Sequence, residues 1–316
     1  MKTTNSNTNN KSTNTKKNKK NNDNKLEQIN EIKKDINEQN IKKVTIIKRK
    51  INKKGIISLL VFLLFFGVFV FSLFNIFGWF KDNKSIDDEV KKIESITKVE
   101  EINDSDKTKI INNNITKDDL YWKYIKMNLI NVDFNELKNI NNETVGWIKV
   151  NGTNINYPFV QTNNNDYYLE HSFYKKDNHA GWVFIDYRNN IKELDKNTII
   201  YAHSRINGTM FGTLKNILTN GWLNNTDNYV IKISTESENT LWQVFSVYTI
   251  PTTNDYIQVK FNNKDFEDFS NMLISRSQHN FNTNITKDDK ILTLSTCYSD
   301  SEKLVLHAKL IKKEGR

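Results

Sequence analysis

The chain has 316 residues, of which 37% are apolar, too few for a protein packed throughout, so part of it is expected to lie outside any core. Its formal charge of +9 is confined to one end: residues 1–55 carry 16 Lys/Arg against 5 Asp/Glu, leaving 30 basic and 32 acidic residues in the rest. A basic block ahead of an apolar segment sets membrane topology or touches anionic lipid, so a lipid bilayer is the expected partner and no nucleic acid is.

Residues 1–55 form a basic arm. Its first 24 residues are Asn, Lys, Thr and Ser with almost no apolar side chain, and are expected to be disordered. From residue 26 to 41 the spacing of Leu26, Ile29, Ile32 and Ile36 predicts a short amphipathic helix, either beside the inner membrane surface or simply solvated. Residues 56–80 contain no charge and are rich in Phe, Leu, Val and Ile. As a helix they would span about 37 Å at ~1.5 Å per residue, enough to cross a hydrocarbon core of about 30 Å with some tilt. The run is longer than a secretory h-region and lacks a small-residue cleavage pattern, so it reads as an uncleaved, single-pass anchor. Lys48, Arg49, Lys50, Lys53 and Lys54 precede it, while Asp82, Asp87, Asp88 and Glu89 follow. Positive-inside bias then puts the N-terminus in the cytoplasm and everything after Phe80 outside the cell.

Residues 81–118 are charged and Asn-rich, with weak helical periodicity at Val90, Ile93, Ile96 and Val99, and read as an extracytoplasmic stalk. The folded domain is expected over 119–316. It opens with a helix carrying Leu120, Tyr121, Trp122, Tyr124, Ile125, Met127 and Leu129 on one side, and a short turn at 134–137. Eight strand-like runs follow at 145–150, 155–161, 181–185, 198–201, 229–234, 241–249, 290–295 and 304–311, interrupted by helical insertions near 212–218 and 264–277. The class is mainly β, a closed barrel or sandwich rather than alternating βα units. In the last strand Leu304, Leu306, Ala308 and Leu310 fall on an inward face, and Val305, His307 and Lys309 on the outward one.

A single cysteine, Cys297, excludes an internal disulfide and any metal site built on paired cysteines; no metal or organic cofactor is implied. A lone cysteine is either packing or a working thiol. Cys297 ends an apolar strand and precedes the polar stretch 298–302, which favours an accessible thiol at a strand end. A thiol with an ordinary pKa of about 8.5 needs a base or cation to serve as a nucleophile at neutral pH. Of the five histidines, His171, His179 and His279 lie in polar loops and His307 on the outward strand face. His203 instead ends the strand at 198–202, and is the candidate partner.

Several motifs, in this order along the chain, resemble the sortases over roughly residues 119–312: Gly-Trp-Ile at 146–148 with residues 153–158, Asn-Asp-Tyr-Tyr-Leu at 165–169, residues 181–188 ending Ile-Asp-Tyr-Arg, Tyr-Ala-His-Ser at 201–204, Gly-Thr-Met-Phe-Gly at 208–212, and Thr-Leu-Ser-Thr-Cys at 293–297. The helix before the cysteine strand resembles the class B subgroup. The resemblance implies an eight-stranded sortase-type β-barrel with peripheral helices, preceded by one transmembrane helix. It implies a membrane-anchored cysteine transpeptidase acting on exported proteins that carry a C-terminal sorting signal of the Asn-Pro-x-Thr-x type. Cys297 would attack the carbonyl after the signal threonine to give a thioester, His203 would exchange the protons, and an amine of the cell-wall peptide would resolve the intermediate.

The family's third residue is an arginine near the start of the last strand, where this chain has Lys303. A lysine keeps the charge but lacks the planar fork that holds two groups at once. Either Lys303 substitutes, or Arg205, Arg188 or Arg276 reaches in, or activity is weak. By the same resemblance Asn165, Leu169, Thr252, Tyr256, Ile257 and Ser295 contact substrate; each also has a plain structural reading, as core for Leu169 and Ile257, a barrel cap for Tyr256 and a strand-edge group for Ser295. Two other readings stand beside this one. A pilus-polymerising sortase is expected to show a lid before the barrel or a second apolar anchor, and neither is evident. An inactive, membrane-tethered peptide-binding module is favoured only by the lysine at 303.

Overall fold

The computed structural model describes residues 24–39, 53–111 and 119–316. The chain divides into two compact units, Met1–Leu73 and Phe74–Arg316. In the first, helix α1 (residues 24–39) exposes Leu26, Ile29, Ile32 and Ile36, the apolar positions of the amphipathic reading. The stretch expected to be disordered lies outside the described residues. Helix α2 (Lys53–Ile96) contains the uncharged run, and among the described residues it is the one helix long and apolar enough to cross a membrane. Its 44 residues extend about 66 Å at ~1.5 Å per residue, roughly twice a hydrocarbon core.

Within the second unit the last turns of α2 are part of the fold, where a free stalk was expected. Asn83, Ile86, Glu89 and Ile93 are buried at helical spacing, and Ile86 and Ile93 join the main core. Ser172 Oγ donates to Glu89 Oε1 at 3.0 Å, and Arg205 to Asn83 Oδ1. The segment that follows is also paired: β1 (Val99–Ile102) runs antiparallel to β3 (Leu129–Val132), and β2 (Thr108–Ile110) pairs with the end of the last strand. The helix expected to reach Leu129 stops early, as α3 (Asp119–Ile125), because Leu129, Ile130 and Val132 bury their side chains as a strand. Fully buried Lys312 satisfies the chain at this break, donating to the carbonyls of Ile125 and Met127 at 2.7 Å each and to Asp104 at 2.6 Å. A short helix α4 (Asn135–Ile140) leads into the barrel.

All eight expected strands form: β4 (Thr144–Val150), β5 (Asn156–Val160), β6 (Phe184–Ile185), β7 (Asn197–Tyr201), β8 (Val230–Thr235), β9 (Glu238–Pro251), β10 (Ile291–Cys297) and β11 (Glu302–Gly315). Their order, β10-β7-β6-β5-β4-β8-β9-β11, closes through a β10–β11 pairing into an eight-stranded barrel with no free edge among these strands. The β7–β10 and β5–β6 pairs are parallel, and the others antiparallel. The insertions are a 3₁₀ turn at Leu214–Leu218, the short α5 (Asn220–Leu223) and α6 (Asn263–Arg276).

Alternation along β10 and β11 divides their side chains between two cores. Leu292, Leu294, Leu304, Leu306, Ala308 and Leu310 fill the main core, as the sequence pattern predicts. Ile291 and Val305 turn outward into a second cluster with Phe245, Tyr248, Tyr256, Phe266, Phe269 and Leu273. His307, on that same face, is fully buried rather than a surface residue. The segment carrying α6 covers this side of the barrel, and only long-range packing reveals that cover.

Candidate active site

The parallel register of β7 and β10 sets the site. It pairs Ser295 with Tyr201, and Thr296 Oγ1 extends the tie by donating to the Ala202 carbonyl at 2.7 Å. The next residue on each strand is Cys297 and His203, so both sit at the ends of neighbours spaced about 4.8 Å apart. On the other side of β10, the antiparallel register makes Lys303 of β11 the cross-strand partner of Cys297. Its Nζ lies 3.0 Å from Sγ, and the thiol is exposed. Thiol, imidazole and ammonium therefore come from three adjacent strand ends.

His203 Nε2 lies 2.8 Å from the Leu169 carbonyl oxygen. A carbonyl only accepts, so Nε2 carries hydrogen and Nδ1 remains for proton exchange. The approach depends on Gly181, at φ +59°: a Cβ there would lie 2.5 Å from the Tyr168 carbonyl oxygen and 3.0 Å from His203 Cδ2.

A cleft of about 340 Å³ brings all nine sequence-predicted site residues together: Cys297, His203, Lys303, Asn165, Leu169, Thr252, Tyr256, Ile257 and Ser295. The polar ends of several are already engaged. Asn165 donates to Asp186 Oδ2 at 3.0 Å and accepts from the Tyr187 N–H at 3.0 Å. Tyr256 and Ser295 hydroxyls are 2.9 Å apart beneath the thiol. Thr252 N donates to the Ser301 carbonyl at 3.0 Å, tying the wall to the β10–β11 turn. A second recess of about 380 Å³, which includes Ser204, Ile206 and Lys215, also reaches Cys297. The sulfur thus sits where two clefts meet.

Sequence reasoning missed Asp186, the hub behind the wall. It is fully buried and accepts from Arg188 Nε and Nη2 at 2.8 and 2.7 Å, from Tyr201 at 2.9 Å and from Asn165. Burial pushes this carboxyl up, but the hydrogen bonds from Arg188 and Tyr201 outweigh it and hold it below the usual carboxylate range. The buried Tyr201 hydroxyl is raised, by desolvation first and then by the Asp186 charge. The Ile-Asp-Tyr-Arg run, an acid and an arginine two apart at a strand end, was the available signal. Also missed were Phe184 and Tyr201, register partners whose rings pack tilted at 37° with centroids 5.4 Å apart in the cleft wall.

The three arginines that could have replaced Lys303 are held elsewhere. Arg188 binds Asp186 and the Ile257 carbonyl, Arg276 binds Asp255 through two bonds, and Arg205 bonds to Asn83 and the His179 carbonyl. Lys303 is the cation on the sulfur. Among the described residues no group of three or more His, Cys, Asp or Glu is placed to hold a metal ion.

An exposed thiol and a histidine on adjacent strand ends at the rim of a closed barrel are the arrangement of a class of acyl-transfer enzyme, and comparison with known proteins agrees. The sortase domain family matches residues 148–311, and the chain belongs to the sortase family of cysteine transpeptidases. Within it the similarity is to class B. Sortase B of Staphylococcus aureus (strain NCTC 8325 / PS 47) is 37% identical over 184 residues, 57% of this chain and 75% of that protein. The crystal structure of B. anthracis sortase B in complex with AAEK1 superposes with a TM-score of 0.58 at 32% identity, covering 75% of this chain and 99% of that one. A sortase B complexed with triglycine gives 0.54 at 35% identity, covering 57% and 85%.

Proposed function

We propose that this transpeptidase cleaves a C-terminal sorting signal of the Asn-Pro-x-Thr-x type on exported proteins and joins them through a thioester to an amine of the cell-wall peptide. The observation that carries the reading is the Cys297 sulfur at the meeting of two clefts, with the Lys303 ammonium 3.0 Å away and His203 in the same wall. Donor and acceptor can then reach one atom from different sides.

In this mechanism His203 Nδ1 takes the Cys297 thiol proton, the resulting thiolate attacks the threonine carbonyl carbon, and the carbonyl electron pair moves to oxygen. Lys303 stabilises that oxyanion, the role for which the family has an arginine; one such donor is worth about 2.7–4 kcal/mol. As the intermediate collapses, the C–N bond breaks and His203 protonates the departing amine, leaving the thioester. The incoming amine attacks it, gives its proton to His203, and expels the thiolate. Asn165, Leu169, Thr252, Tyr256, Ile257 and Ser295 are the groups assigned to hold the donor peptide. The triglycine ligand of a related sortase B supports a glycine-like acceptor amine.

Residues 56–80 would anchor the enzyme in the cell membrane, with the basic arm (1–55) in the cytoplasm and the catalytic domain outside, a topology supported by the charges flanking the apolar run. Two measurements test these assignments. Full-length protein in detergent, given a quenched Asn-Pro-x-Thr peptide, should cleave it, and triglycine should divert the product from hydrolysis to ligation. Failure with a panel of such peptides would overturn the substrate assignment. Protease added to intact cells should remove the catalytic domain and spare the arm; the opposite pattern would overturn the topology.

A further inference from the structure

The outward faces of β10 and β11 carry a second polar assembly that the transpeptidase chemistry does not use. His307 is fully buried, with Nε2 2.8 Å from the Tyr248 hydroxyl and Nδ1 2.8 Å from Thr293 Oγ1. Thr293 donates to Asn197 Oδ1 at 2.6 Å, and the Asn197 amide nitrogen donates to the carbonyls of Tyr256 and Gln258 at 3.2 and 2.9 Å. The direction of every bond follows from this arrangement. Asn197 turns its hydrogens to two carbonyls, so its oxygen faces Thr293 and only accepts. The one hydroxyl hydrogen of Thr293 is thereby used, and Thr293 must accept from His307 Nδ1–H. Burial, and second the charge of Arg276, push the imidazole down to about 3, so it is neutral and its Nε2 accepts from Tyr248.

Both ends of this chain reach one segment. At one end Asn197 holds the carbonyls of residues 256 and 258. At the other, the Arg276 guanidinium lies 6.0 Å from the centroid of the Tyr248 ring and is fixed by two bonds, 2.9 and 2.6 Å, to Asp255. Residues 252–258 contain no helix or strand and one turn bond, from Ile257 N to the Asn254 carbonyl at 3.3 Å; Thr252 is tied to Ser301 and Ile257 to Arg188, and the segment supplies Thr252, Thr253, Asn254, Tyr256 and Ile257 to the cleft. A segment without a ladder must be held from outside.

We propose that the chain Tyr248–His307–Thr293–Asn197 clamps residues 252–258 as the wall against which the donor peptide binds, making His307 and Thr293 positioning residues for substrate recognition rather than for thiol chemistry. The inference rests on reading the cleft as a donor-peptide site. His307 and Thr293 each commit one donor and one acceptor, Asn197 two donors and one acceptor, and Tyr248 its hydroxyl hydrogen, so removing any one leaves a buried partner unsatisfied and loosens the wall.

Thr293→Val is nearly isosteric and breaks the chain in the middle; Tyr248→Phe breaks it at the other end. Three quantities are measured on full-length protein in detergent: hydrogen–deuterium exchange of the 252–258 amides, KM and kcat for the donor peptide, and the rate of Cys297 alkylation by iodoacetamide, which needs no donor. Exchange confined to 252–258 should rise about tenfold and KM about fivefold, with kcat and alkylation within about twofold of wild type. With an active wild type, an unchanged KM in both variants overturns the proposal, as does a fall in alkylation rate equal to the loss of turnover. If wild type turns over no donor peptide, the transpeptidase assignment of the cleft fails separately. The clamp is then judged on exchange: acceleration at 252–258 sustains it, and unchanged exchange overturns it.

Discussion

Strands β7, β10 and β11 treat their polar groups in opposite ways at their open end and on their covered outer side. At the open end Cys297 is exposed, Lys303 reaches its sulfur, and His203 keeps one ring nitrogen for proton exchange. On the covered side His307, Thr293 and Asn197 are buried, and both ring nitrogens, the hydroxyl hydrogen and both amide hydrogens are committed to partners. Two histidines on the same wall of one barrel thus meet opposite surroundings, and the roles proposed for them differ accordingly. What separates them is whether a nitrogen is left free where solvent or substrate can arrive.

The largest effects are expected at the open end. His203→Gln should lower kcat by about 10³-fold, within the range of a lost general acid–base, with little change in donor KM. A loss of less than about tenfold would mean that the proton travels by another route. Lys303→Met should cost about 10²–10³ in kcat, while Lys303→Arg should stay within about tenfold of wild type. Equal turnover in the Met variant would remove Lys303 from the oxyanion role.

On the covered side the readout is stability against pH. The folded imidazole of His307 is depressed from 6.5 to about 3 by burial and then by the Arg276 charge; Tyr248 and Tyr256, the other titratable groups against its ring, are neutral in this range. A depressed base stabilises the fold above the unfolded value, and that contribution is lost as pH falls from about 6.5 toward 3, because only the unfolded chain takes up the proton. Unfolding free energies from urea titrations between pH 6 and 4 should therefore fall more steeply in wild type than in His307→Gln, by about 1.4 kcal/mol per pH unit at most. Parallel slopes would mean that His307 is not buried neutral.

The smallest effect concerns the last turns of α2. Burial raises the Glu89 carboxyl above its ordinary value, against hydrogen bonds from Ser172 and Tyr174 and the charge of Lys176. A raised acid favours the fold below its unfolded value, and the advantage is lost as pH rises through the folded one. Glu89→Gln should therefore raise Tm at pH 7 by about 2–4 °C and do nothing at pH 4. A lower Tm at pH 7 would show that the carboxylate is wanted there.

Local pattern made the barrel legible: eight runs of β-branched and aromatic residues each became a strand, and the alternation in β11 correctly separated Leu304, Leu306, Ala308 and Leu310 from their neighbours. Cys297 and His203 were legible because both end apolar runs, and the parallel register then places those ends side by side. Lys303 was legible only through a family pattern, since nothing local distinguishes it from the other lysines. Three features escaped because they depend on contacts far apart in sequence. The outward face of β11 reads as solvent-facing until residues 252–289 fold over it. The last turns of α2 read as a stalk because their few apolar residues, Ile86 and Ile93, gain meaning only from the surface they meet. Asp186 reads as an ordinary turn acid until Arg188, Tyr201 and Asn165 converge on it.

The central claim is that Cys297 carries the acyl group. Intact-protein mass spectrometry of the full-length enzyme, quenched in acid during turnover of an Asn-Pro-x-Thr peptide, measures it directly. The predicted result is a mass increase equal to the peptide through its threonine, mapped to Cys297, discharged by triglycine and missing in Cys297→Ala. Cleavage that persists in Cys297→Ala, or an adduct on another residue, would contradict it.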